Sequence, residues 1–142
     1  MTRTTFLRTY TALPYVCDMH AVLTTDTFEA DASEAGLSED EIESMVRWLS
    51  ANPLAGAVMQ GTGGARKVRF AGKGKGKSGG YRTVHYYGGD DVPLFLLGLI
   101  DKGERDNLSK AERNALADEL AHLADDYRAG VASRLARLKR RM

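Results

Sequence analysis

At 142 residues the chain is long enough for one compact domain with a modest core and too short for a second. With 43% hydrophobic and 27% charged residues it has a globular composition. No window reaches the roughly 18 consecutive apolar residues of a membrane span, and "TYTALPYVC" is broken by Thr11 and Pro14 where a secretory leader would be apolar, so a soluble, cytoplasmic protein without membrane association is expected. The net charge of +1 conceals a segregation: residues 61–87 hold seven Lys/Arg and no acid, residues 128–142 hold six and none, and the acids lie before, between and around them.

In chain order, residues 20–24, "HAVLT", read as a short strand. Asp26 then caps a helix whose Phe28, Ala32 and Ala35 recur at i, i+4 and i+7 until Gly36 stops it. Ser38 and Glu41 form a capping box for a second helix, whose stripe is Ile42, Met45, Val46 and Leu49, with Trp48 at its edge and Asn52-Pro53 at its end. From "ARKVRFA" the period changes to two, so that Arg66, Val68 and Phe70 share one strand face and Lys67 and Arg69 the other. "YRTVHYY", residues 81–87, is a further strand, and "VPLFLLGLI", apolar on both faces, is a central one. These three strands are expected to form an antiparallel meander.

Ser109 and Glu112 open a last helix with Leu116, Leu120, Leu123 and Tyr127 on one face, and Gly130 is expected to interrupt it. Beyond it "ASRLARLKRRM" reads as a continued amphipathic helix or as a solvated basic tail, and the tail is favoured. The expected organisation is an extension over residues 1–18, a domain over 19–127 and a basic tail over 128–142.

Between the strands lies "AGKGKGKSGG", in which Gly76-Lys77-Ser78 invites comparison with a nucleotide-binding loop. That motif needs a glycine at position 71, where alanine stands, and a helix after the serine, where a strand begins. The remaining reading is a flexible loop with Lys73, Lys75 and Lys77 at alternate positions, suited to a phosphate backbone through counterion release. Cys17 is the only cysteine, and His20, His85 and His122 show no metal-binding spacing, so neither a metal nor another cofactor is expected.

The stretch "GTGGARKVRFAGKGKGKSGGYRTVHYY", with "NPLAG" before it and "VPLFLLGLIDKGERDNLSKAE" after it, resembles the RelE/ParE superfamily of bacterial toxins, and within it the HigB-like branch. The likeness spans about Met19 to Leu123 and leaves residues 1–18 outside. "MHAV" at 19–22 looks like the usual beginning of HigB-like chains, so the extension is either a loosely attached arm or the product of a misassigned start. The resemblance implies an α+β fold: a small curved sheet, antiparallel with a mixed edge, two N-terminal helices packed on it and a C-terminal helix. It implies a toxin that enters the ribosomal A site and cuts mRNA, silenced by an antitoxin, a helix-turn-helix protein encoded adjacently. Relatives that inhibit DNA gyrase, and silent homologues that only bind an antitoxin, are the alternatives.

Metal-free RNA cleavage needs a base for the ribose 2′-OH, cations for the phosphorane and an acid for the 5′-oxygen. By resemblance the catalytic positions are Lys67, Arg69 and Arg82, with Lys67 the candidate base among like-charged neighbours. The arginine expected as acid aligns with Gly103, which leaves Lys102 as a catalytic substitute and Arg105 beside it. Arg66, Lys73, Lys75, Lys77 and Arg105 are candidate RNA contacts, and Tyr86 and Tyr87 are candidate stacking platforms or cross-strand partners. His85 faces away from Tyr86 and is a weak acid candidate.

Overall fold

The computed structural model describes residues 9–10, 20–71, 80–101 and 108–141. They form β1 (Thr9–Tyr10), β2 (Val22–Thr24), α1 (Asp26–Glu34), α2 (Glu39–Ala51), β3 (Ala57–Val58), β4 (Arg66–Phe70), β5 (Tyr81–Tyr86), β6 (Leu94–Asp101) and α3 (Lys110–Arg141). The architecture is the α+β one expected: a six-stranded sheet in the order β1-β2-β6-β5-β4-β3, with α1 and α2 on one face and α3 on the other. β4, β5 and β6 make the antiparallel meander. β2 pairs parallel with β6, and β1, from the N-terminal extension, adds to the β2 edge.

β6 is central because both of its faces are apolar. Leu94, Leu96 and Leu99 pack with Phe28, Val46 and Leu49 on the α1/α2 side, while Phe95 and Ile100 face α3. A slip in register lets Leu96 and Leu99, three positions apart, face the same side: Val84 opposes Gly98 and His85 opposes Leu96, so that Leu97 is an extra residue. The Asp31 carboxylate of α1 accepts the Leu99 N–H at 3.1 Å beside the bulge. A side chain at Gly98 would crowd that carboxylate, since its Cβ would lie 3.3 Å from Oδ2.

The α2 capping box forms as the spacing predicts, Ser38 Oγ accepting the Glu41 N–H and Glu41 Oε1 accepting the Ser38 N–H. Ile42, Met45, Val46 and Leu49 are all buried, each side chain contributing about 1.5–3 kcal/mol relative to exposure. Trp48 stays 44% exposed, with its ring edge-on to Phe70.

Two local expectations are corrected. Thr25, not Asp26, caps α1: its hydroxyl accepts the Phe28 N–H and donates to the Leu96 carbonyl oxygen at 3.0 Å, a pair of bonds that an ionised carboxylate, which only accepts, could not make. Asp26 becomes the first helical residue, where its charge complements the helix dipole. Gly130 does not interrupt α3, which continues to Arg141. An interior glycine costs a helix only about 1 kcal/mol, and Arg128, Ala129, Ala132 and Arg134 around it are good helix formers.

Candidate functional site

The "GTGG" stretch, residues 61–64, makes the turn between β3 and β4. Thr62 Oγ1 donates to the Met59 carbonyl oxygen at 2.6 Å and accepts the Ala65 N–H at 3.1 Å, closing the turn from within. Gly63 and Gly64 take positive φ, +79° and +114°, which only glycine adopts without strain. A Cβ at Gly63 would touch the Ala117 backbone of α3, and one at Gly64 the Tyr86 ring. The motif therefore seats α3 and Tyr86 against the sheet.

β4 and β5 then divide the cations between two faces. In the antiparallel register Arg69 opposes Arg82 and Lys67 opposes Val84, so all three cations project on the α3 side. Directly opposed residues have Cβ atoms about 5 Å apart, and Lys67 is the diagonal neighbour of Arg82 at roughly 7–8 Å. Arg69 is exposed, whereas Lys67 and Arg82 are half-buried. Arg82 Nε is buried and has no hydrogen-bond partner. A guanidinium whose inner nitrogen is withdrawn from water, with like charge on the adjoining strand, is poised for an anion that approaches its outer nitrogens.

Arg66 is separated from this group. Its Nη1 donates to the carbonyl oxygens of Leu54 and Gly56 at 2.9 and 3.1 Å, on the α1/α2 side. Its cross-strand partner His85 is fully buried and donates Nε2–H to the Pro53 carbonyl oxygen at 3.0 Å. Together they clasp the loop after α2. Burial, and secondarily the nearby Arg66 charge, hold the His85 pKa below its ordinary value. This placement removes His85 from proton transfer at the Arg82 face.

The tyrosines are engaged as well. Tyr86 is wedged between Gly64 and Gly88 and packs with Leu97 and Leu123. The Tyr87 hydroxyl donates to Asp90 Oδ1, which pushes its pKa up, and its ring meets His20 edge-on. Tyr86 ends β5 and Tyr87 follows it, away from Arg82, the Tyr86 and Arg82 Cα atoms being roughly 13 Å apart along the strand. Lys73, Lys75, Lys77, Lys102 and Arg105 lie outside the described residues.

Arg113 of α3 had no sequence signal, since it sits in an ordinary amphipathic helix. Its Nη1 donates to the Gln60 carbonyl oxygen at 3.4 Å, and its Nε, like that of Arg82, is buried without a partner. Farther along α3, Arg128 makes a two-pronged ion pair with Asp91, at 2.6 and 2.9 Å, and bonds Asp125 at 2.9 Å. The guanidinium holds the Asp91 carboxyl below its usual range.

Among the described residues no three His, Cys, Asp or Glu side chains gather as a metal-binding group would, and no helix is long and apolar enough to cross a membrane. Compared with known protein families, residues 20–141 match the RelE toxin of the RelE/RelB toxin-antitoxin system, a match that takes in the whole of α3. The chain belongs to the RelE toxin family.

Proposed function

We propose that this toxin is a metal-independent endoribonuclease that cleaves mRNA in the ribosomal A site, belongs to the HigB-like branch, acts in the cytoplasm, and is silenced by a helix-turn-helix antitoxin encoded beside it. The observation that carries the reading is the Arg82 guanidinium, its inner nitrogen buried and unpartnered, on one sheet face with Lys67 and Arg69. In the proposed reaction Lys67 takes the proton of the ribose 2′-OH, and the resulting 2′-oxygen attacks phosphorus. Arg82 and Arg69 hold the charge that accumulates on the phosphorane oxygens. The P–O5′ bond then breaks, the 5′-oxygen receives a proton, with Lys102 the candidate donor, and a 2′,3′-cyclic phosphate remains.

Lys73, Lys75, Lys77 and Arg105 are assigned to phosphate contacts that bring the strand cations to the backbone. Tyr86 carries no stacking role in this scheme because its ring is taken up between glycines. The toxin is expected to cut mRNA when mixed with translating ribosomes, the cuts mapped by primer extension, and protein synthesis in cells is expected to fall before DNA synthesis. Cleavage should persist in chelator once ribosome integrity is maintained. DNA synthesis failing first with mRNA intact would move the assignment to gyrase inhibition. Antitoxin binding without either effect would leave a silent homologue.

A further inference from the structure

The last part of α3 stands clear of the domain. Val131, Leu135 and Leu138 are 41%, 52% and 55% exposed and fall at i, i+4 and i+7, which aligns them along one side of the helix. Arg134, Arg137 and Arg141 line one flank of that stripe and Lys139 the other, with no acid between residues 128 and 141. A solvated basic tail needs no such stripe, and phosphate binding makes no use of two leucines and a valine.

A groove of opposite character lies beside the earlier part of the same helix. It has a volume of about 510 Å³ and runs between α3, the start of α1 and β6, with Leu97, Leu116 and Leu123 on its floor. Asp26, Asp118, Glu119 and Asp126 line it, and no Lys or Arg does. An apolar floor with acidic walls is the counterpart of an apolar stripe with basic flanks.

The helix cannot fill its own groove, because α3 is continuous from Lys110 to Arg141 and its end runs away from the part that lines the cavity. We infer that the occupant is a second copy of this chain: two α3 helices cross antiparallel near residues 128–130, and residues 131–141 of each lie along residues 116–126 of the other. Since each copy offers both a helix end and a groove, the exchange closes as a two-fold dimer with no contact left open. A parallel pairing of the two helix ends would set like charges against each other and is disfavoured. The groove lies at the β2–β6 side of the sheet, whereas Lys67, Arg69 and Arg82 are on β4 and β5, so none of the three lines the proposed contact.

The dimer and the RNA reading stand or fall separately, because sedimentation equilibrium of the full chain over about 1–200 μM reads mass and not cleavage. A monomer–dimer equilibrium is expected, weakening as salt rises because the flanking pairs are solvent-screened. Leu135→Asp with Leu138→Asp should weaken association by about 100-fold or more, burial of two carboxylates against Leu116 and Leu123 being unfavourable. Leu135→Gln with Leu138→Gln, which removes the apolar stripe but keeps good helix formers, should weaken association in the same direction with helicity measured by circular dichroism little changed. Asp118→Lys with Glu119→Lys should also weaken the dimer, and adding Arg134→Glu with Arg137→Glu should restore it. A monomer at the highest concentration, or a dimer indifferent to both leucine substitutions, would overturn the inference. So would charge reversals that fail to compensate.

Discussion

Arg66 and Arg69 are three residues apart, equally basic, and put to different uses. Period two places them on opposite faces of β4, so Arg66 binds the carbonyls of Leu54 and Gly56 while Arg69 stands opposite Arg82. Arg66→Ala should therefore lower stability by about 1 kcal/mol in a denaturant titration and leave cleavage at saturating toxin near the parental rate. A selective loss of cleavage with stability unchanged would instead put Arg66 on the RNA. His85 adds a pH dependence of known sign. Its folded pKa is lowered by burial, so the neutral ring is the stable native form, and the native state binds fewer protons than the unfolded one as pH falls. Stability contributed by His85 is complete above its ordinary pKa of 6.5 and declines as the pH drops below it. Melting curves between pH 5 and pH 8 (range of about three units around a typical histidine) should show this decline in the parent and a flatter profile in His85→Gln.

At the scale of elements, what was legible followed from local chemistry. The Ser38–Glu41 box, the stripe of α2 and the alternation along β4 are each set by residues within a few positions of one another, and all appear in the fold. The parallel β2–β6 pairing was not legible, because a three-residue strand carries no mark of a partner some seventy residues away; β6 chooses it by needing cover on its free edge. Thr25 displaced Asp26 as the cap for a similar reason: its second bond goes to β6, which local sequence does not reveal. The cationic pair Lys67 and Arg69 could be read from period two, whereas Arg113 could not, since only tertiary packing brings it to the β3–β4 turn. The continuity of α3 through Gly130 has a direct test. Apart from the adjoining residues and the helix's own backbone, nothing lies within 4 Å of a Cβ built at Gly130, so Gly130→Ala should stabilise the helix by about 0.5–1 kcal/mol, read as a higher melting temperature. A lower melting temperature would mean that the helix is broken or tightly packed there.

Across the whole molecule, near-neutral net charge is divided into regions of one sign: cations on β4 and β5 and in the segment between them, acids around α1 and the first part of α3, and cations again at the end of α3. The three lysines between β4 and β5 are assigned to ground-state attraction and Arg82 to the transition state, and the two roles separate experimentally. Replacing Lys73, Lys75 and Lys77 together by Ser should weaken RNA association and reduce the slope of log affinity against log salt by up to about 2, with cleavage at saturating toxin largely retained. Arg82→Ala should do the reverse. A charge used on the phosphorane contributes little to ground-state binding, so ribosome affinity should stay within a few-fold of the parent. The most direct measurement is the single-turnover cleavage rate of Arg82→Ala on saturating ribosomes programmed with mRNA. A loss on the order of 10² or more is predicted; cleavage at the parental rate would contradict the assignment of Arg82 and the reaction built around it.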